Sequence, residues 1–149
     1  MKKLFFAFIL TLGAVSVHGQ NQGSHINAGL GLDGRGIPIY GSYDWGFRDD
    51  FNLGVGASLS TGGNDYDGGI FGAGFFTQWY ADRILDIPSD FDVYAGLGVY
   101  YYTYKNGDDL DLGLFVGGRY YFNDSMGVNL ELGAGSTLAG AKIGVTWQL

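Results

Sequence analysis

The chain has 149 residues, enough for one domain of ordinary size and too few for two. Charged residues make up 15%, against roughly 25% in an average soluble domain, while 28 positions are Gly and 17% are aromatic. The 15 acidic residues outnumber the 8 basic ones, which excludes a nucleic-acid partner needing a basic footprint, and the lack of Cys excludes disulfides and thiol chemistry.

Residues 1–19 read as a secretory signal peptide. Lys2 and Lys3 form a positive start, and Leu4 to Val17 form a nearly unbroken apolar run. Val17-His18-Gly19 then offers small or apolar residues for a cut after Gly19. The run is short of the roughly 20 residues of a spanning helix. The remaining segment, 20–149, is expected to be a single exported domain.

From residue 24 onward the sequence alternates with period two, the pattern of strands with unlike faces. Eight such segments follow one another. Ile26, Ala28, Leu30 and Leu32 share one face of the first, with Asn27, Gly29 and Gly31 on the other. Ile37, Ile39, Tyr43, Trp45 and Phe47 oppose Pro38, Tyr40, Ser42 and Asp44 in the second. The third runs from Phe51 to Leu59, the fourth from Phe71 to Trp79, and the fifth and sixth cover 91–104 and 109–122. The seventh spans Met126 to Ala134 and the last Ala139 to Leu149. Turn residues separate them: DGRG at 33–36, RDD at 48–50, TGGNDYDGG at 61–69, KNGDD at 105–109, NDS at 123–125 and GST at 135–137. The longest link, residues 82–90, has room for a short helical turn. Short links between sequential strands predict an antiparallel meander, and eight strands close without leaving edges.

The second face decides which solvent the apolar face meets. A water-facing surface would be rich in Lys, Glu and Thr, whereas this face is mostly Gly, Tyr and Asn. Gly pairs recur on it at Gly29/Gly31, Gly54/Gly56, Gly72/Gly74, Gly96/Gly98 and Gly133/Gly135. Paired glycines weaken an exposed strand but make room in a crowded lumen for inward Tyr40, Phe76, Tyr94, Tyr100, Phe115 and Tyr121. The expected fold is therefore an all-β, eight-stranded antiparallel up-and-down transmembrane barrel with its aliphatic face in lipid. Trp45, Trp79 and Trp147, with Phe47, Phe51, Phe91, Tyr120 and Phe122, would form an aromatic girdle at the periplasmic interface. A second, thinner girdle would comprise Tyr66, Phe71, Tyr101 and Tyr102.

The last strand, KIGVTWQL at 142–149, resembles the C-terminal assembly signal of bacterial outer-membrane barrels, carried here by Lys142, Gly144, Trp147 and Leu149. The motif usually ends on Phe, and this chain has Leu149 instead. Residues 24–149 as a whole resemble the small barrels of the outer membrane protein X and outer membrane protein A type. The resemblance implies a place in the outer membrane, assembly by the barrel-assembly machinery, contact with outer-membrane lipid and lipopolysaccharide, and a charged lumen network. Any extracellular ligand is left open.

Candidate chemistry is sparse. Arg119, Glu131 and Lys142 point inward on consecutive strands, so Glu131 can pair with one or both cations, either as a register-fixing plug or as a gate. Residues 62–69 resemble one calcium nonapeptide, but a lone repeat reads as a hairpin loop. GLGLDG at 29–34 fits a dinucleotide fingerprint only if a helix follows, and none is expected. Asp108, Asp109 and Asp111 form an acidic tip, suited to solvation or to cation bridging with lipopolysaccharide. His25 beside Ser24 is the one histidine after residue 19, at the wrong end for surface lipid chemistry. No catalytic residue, cofactor or metal site is expected. The reading is a non-enzymatic barrel with a structural or surface-interaction role, the alternative being a channel for small solutes or hydrophobic compounds.

Overall fold

The computed structural model describes residues 23–32, 36–61, 69–105, 107–135 and 140–149. The expected signal peptide, most of the 62–69 loop with Tyr66, and parts of the DGRG and GST turns lie outside the described residues.

Eight strands follow in chain order: β1 Ser24–Leu32, β2 Ile39–Arg48, β3 Phe51–Ser60, β4 Ile70–Tyr80, β5 Phe91–Tyr104, β6 Gly107–Tyr121, β7 Met126–Gly135 and β8 Ala141–Gln148. Each pairs antiparallel with its sequence neighbours, and β1 pairs with β8, so the sheet closes into a barrel. Closure removes the unpaired backbone edge that an open sheet exposes, which a membrane interior would not tolerate. One short helix, α1 Asp82–Leu85, lies in the β4–β5 connection. Pro88 follows closely, and Asp86 turns left-handed at its end with φ 53°. Among the described residues, no helix is long and apolar enough to cross a membrane.

The period-two pattern runs along all eight strands, and Tyr102 is the one described residue of the expected girdles that it turns inward. Outward positions carry exposed aliphatics, including Leu112 at 68%, Leu114 at 64% and Ile143 at 64% exposure. Inward positions carry buried aromatics and polar groups, including Tyr80, Tyr94, His25, Asp44 and Arg119. The barrel is thus apolar outside and polar inside. Soluble monomers rarely expose continuous apolar patches beyond a few hundred Å². A belt of this kind is a lipid-facing wall.

The inward glycines are explained by what they face. A Cβ on Gly98 would stand 2.6 Å from the Tyr100 ring, one on Gly72 2.7 Å from Tyr102, and one on Gly117 2.7 Å from Tyr94. Gly54 faces Phe76 and Gly96 faces Phe115 at still closer approach. A narrow barrel of eight strands has room for large rings only where the wall beside them, at the register partner or two residues along the same strand, has no side chain. Gly29 and Gly144 pair across the β1–β8 seam, where a Cβ on either would run into the partner strand's backbone.

Tyr102 corrects the expected second girdle. It is buried and packs with Ile70 and Tyr100 inside the barrel. In the run Tyr100-Tyr101-Tyr102 only the middle ring faces outward, because the strand alternates regardless of composition.

Candidate functional site

Both chain ends of the barrel, the start of β1 and the end of β8, lie at one rim, called here the terminal end. The lumen near it holds a dense polar network. Asp44 on β2 is fully buried and accepts from four sides. Asn52 Nδ2 donates to its Oδ1 at 2.7 Å and Asn27 Nδ2 to its Oδ2 at 3.0 Å. Arg119 Nη2 reaches Oδ2 at 2.8 Å, and His25 Nδ1 lies 2.9 Å from Oδ1. Arg119 on β6 also bonds the Tyr80 hydroxyl and lies 3.6 Å from Asp92, which in turn accepts from the Tyr121 hydroxyl at 2.7 Å. Each buried charge therefore has an opposite charge and further hydrogen bonds, the condition under which burial is tolerated.

A second set sits at mid-height. Lys142 on β8 is ion-paired with Glu131 on β7, directly opposite it in register. Tyr94 donates from its hydroxyl to Glu131 at 2.9 Å. The Lys142 ammonium lies 5.1 Å from the Tyr40 ring centre and 5.5 Å from that of Phe115, a cation–π arrangement. Asn129 donates to the Tyr40 hydroxyl at 2.8 Å.

The three inward charges read from the sequence are therefore divided. Glu131 and Lys142 meet. Arg119 does not join them, because its guanidinium turns across the lumen to Asp44, a strand not adjacent to its own. Tyr94 links the two sets: its ring lies under Arg119 at 4.8 Å, and its hydroxyl bonds Glu131. Asp44 and Asp92, not singled out among the sequence candidates, complete the terminal set. Both already stood at inward positions of the alternation, which was the available signal. His25 points into the lumen and is held by Asp44.

Trp45, Trp79 and Trp147 all lie at the terminal end on the outward face. Trp79 pairs with Phe51, Trp147 with Met126 and Ile26, and Trp45 with Leu53, while Tyr43 stacks on Trp45 at 5.6 Å. In β8, Lys142 and Gly144 face inward and Trp147 outward. Leu149 lies just past the strand, its N–H donating to the Ser24 carbonyl at 2.9 Å. Among the described residues, no group of three or more His, Cys, Asp or Glu side chains is arranged to hold a metal ion.

No family model matches this sequence, and no curated protein matches it. Solved structures do. The N-terminal β-barrel domain of Pseudomonas aeruginosa OprF superposes with a TM-score of 0.61 at 14% identity, covering 86% of this chain and 98% of that one. The fold is that of a small outer-membrane β-barrel. Ail, the attachment invasion locus protein of Yersinia pestis, also matches, with a TM-score of 0.38 at 13% identity over 84% of this chain and 94% of that one.

Proposed function

We propose that this chain is a non-enzymatic outer-membrane barrel with a structural or surface-interaction role, its lumen sealed by side chains. One observation carries this reading. Two ion-paired sets, joined by Tyr94, occupy the bore from the terminal end to mid-height. Buried rings of Tyr100 and Tyr102 continue the filling above them. The terminal end would face the periplasm, with Trp45, Trp79 and Trp147 at the inner interface. The opposite end, with the long β5–β6 hairpin, would face outward toward lipopolysaccharide. The barrel-assembly machinery would read Lys142, Gly144, Trp147 and Leu149 on β8. His25, the one histidine after residue 19, is buried against Asp44, an arrangement suited to holding the network rather than to meeting a lipid substrate.

The alternative, a channel for small solutes or hydrophobic compounds, requires both ion-paired sets to part. Refolding residues 20–149 into a planar bilayer and recording single-channel current separates the two. A flat trace from protein verified as folded is expected. Discrete steps that change in Glu131→Gln would overturn the sealed-lumen reading and make the Glu131–Lys142 pair a gate.

A further inference from the structure

Outside the lumen, the lipid-facing wall is not uniform. Most outward positions carry Leu, Ile, Val or an aromatic, but around β5 and β6 three small residues fall together. Ala81 follows β4, Ala95 stands opposite Trp79 and Val116, and Gly118 stands opposite Val93 and Leu130. The result is a groove of about 650 Å³, walled by Trp79 on one side and Leu130 on the other. Phe91 and Tyr120, with ring centres 4.8 Å apart, stand at its terminal-end border. A second hollow of about 420 Å³, bounded by Leu97, Leu114 and Ala134, lies on the next outward row of the same strands. From Phe91 to Leu97 the strand rises roughly 20 Å at about 3.3 Å per residue. At the roughly 40° tilt of membrane strands that path covers about 15 Å of depth, the half-thickness of a bilayer's hydrocarbon core.

The mouth of the groove is charged. Asp82, at the start of α1, takes the Val93 N–H on its Oδ1 at 2.6 Å, so its carboxylate sits beside a groove residue. Desolvation, opposed by the Val93 hydrogen bond and reinforced by the nearby Asp92 and Asp50 charges, holds Asp82 above the usual carboxylate range. The Arg119 charge relieves it only in part, and the Arg83 guanidinium is engaged with both carboxylate oxygens of Asp50, on the β2–β3 turn. A cation arriving from the lipid side would be favoured there.

We propose that this groove binds one phospholipid with a primary-amine headgroup, an acyl chain lying along Ala95 and Gly118 and the ammonium resting on the Asp82 carboxylate. The inference rests on the membrane placement argued above. Two features select lipid over a second barrel: the two hollows follow one another along β5 and β6 from the Phe91 border to Leu97, and the Asp82 carboxylate stands beside Val93 at the terminal-end border, where a headgroup would lie.

The test reconstitutes the full barrel into vesicles of equal phosphatidylethanolamine and phosphatidylglycerol, extracts it in mild detergent, and counts retained lipid by native mass spectrometry. Wild type is expected to keep one phosphatidylethanolamine, in excess over phosphatidylglycerol by about tenfold, a difference of about 1.4 kcal/mol. Ala95→Phe fills the groove and should lose the lipid. Asp82→Asn, which still accepts from Val93, should keep a lipid without the headgroup preference. Equal retention in wild type and Ala95→Phe, equal amounts of the two lipids on wild type, or a dimer that Ala95→Phe dissociates would each overturn the proposal. Vesicle flotation and the heat-dependent gel shift of a folded barrel are read on every sample. A wild-type chain that fails to float overturns the membrane placement itself, whereas one that floats without retained lipid overturns only the groove.

Discussion

Asp44 shows how much a single lumen residue can carry. Its carboxylate is shared by Arg119, His25, Asn27 and Asn52, and none of the four has another full carboxylate partner of comparable closeness. Removing one partner of a buried pair typically costs about 3–5 kcal/mol, because the remaining charge is left uncompensated. Asp44→Asn keeps the shape and removes the charge, and Asp92 at 3.6 Å can take up part of the Arg119 charge. The expected loss is therefore near the lower end, about 3 kcal/mol, read as a lowered urea midpoint in detergent. Arg119→Met in the Asp44→Asn background should recover part of it, since the orphaned cation is gone. A double variant no more stable than Asp44→Asn alone would mean that Arg119 is held by Tyr94 and Tyr80 rather than by charge. This pairing was only half legible in the sequence. Alternation places Arg119, Glu131, Lys142, Asp44 and Asp92 on the inner face, and strand adjacency brings Glu131 to Lys142. Arg119 and Asp44 meet across the bore from strands that are not neighbours. That contact depends on barrel shear and side-chain reach, neither of which a local pattern encodes.

Among the elements, the strands were readable because their solvent boundary repeats every second residue over eight segments, and the one element that breaks the pattern was the least readable. The helix α1 has four residues, barely one turn, too few to display a period. It is held from outside itself, by Asp82 on the Val93 N–H and by Arg83 on Asp50. The Asp82 site makes a pH prediction. Burial is the largest cause of its shift, and its carboxyl is pushed up to about 6 from an ordinary 3.8. The folded barrel thus binds this proton more tightly than the unfolded chain does. Stability from this group is fully present below pH 4 and is lost as pH rises through 6. Solvent screening at this partly exposed group keeps the effect small. In detergent, the difference between wild type and Asp82→Asn in thermal midpoint should shift against wild type between pH 4 and pH 6.5. A difference that is constant across that window would show that the carboxyl titrates normally. Groove occupancy by an ammonium would lower the Asp82 pKa, so the same titration in amine-headgroup lipid should move the window toward lower pH.

At the scale of the whole molecule, the alternation that reveals the barrel does not say how deep each row sits, and Tyr102 shows the consequence. Its neighbours Tyr100, Tyr101 and Tyr104 give a strand end with aromatics on both faces, so composition alone draws a girdle where the strand in fact turns one ring inward. Register resolves the depth. A tilted membrane strand needs about 9–11 residues to cross, so β5, counted from Phe91 at the terminal end, would leave the hydrocarbon near Tyr101. Leu97, paired with Leu114, then lies close to the midplane, and Leu110, paired with Tyr101, lies at the outer border. Both leucines are exposed on the same lipid-facing surface, at 52% and 72%, so exposure does not distinguish them. Depth does. An Arg on a barrel's lipid face costs about 2–4 kcal/mol at the midplane and about 0–1 near the interface. Leu97→Arg should therefore destabilise the folded barrel in vesicles by that larger amount, while Leu110→Arg leaves the unfolding midpoint nearly unchanged. Equal costs at the two sites would place the membrane higher on the barrel. The long β5–β6 hairpin would then be fully embedded.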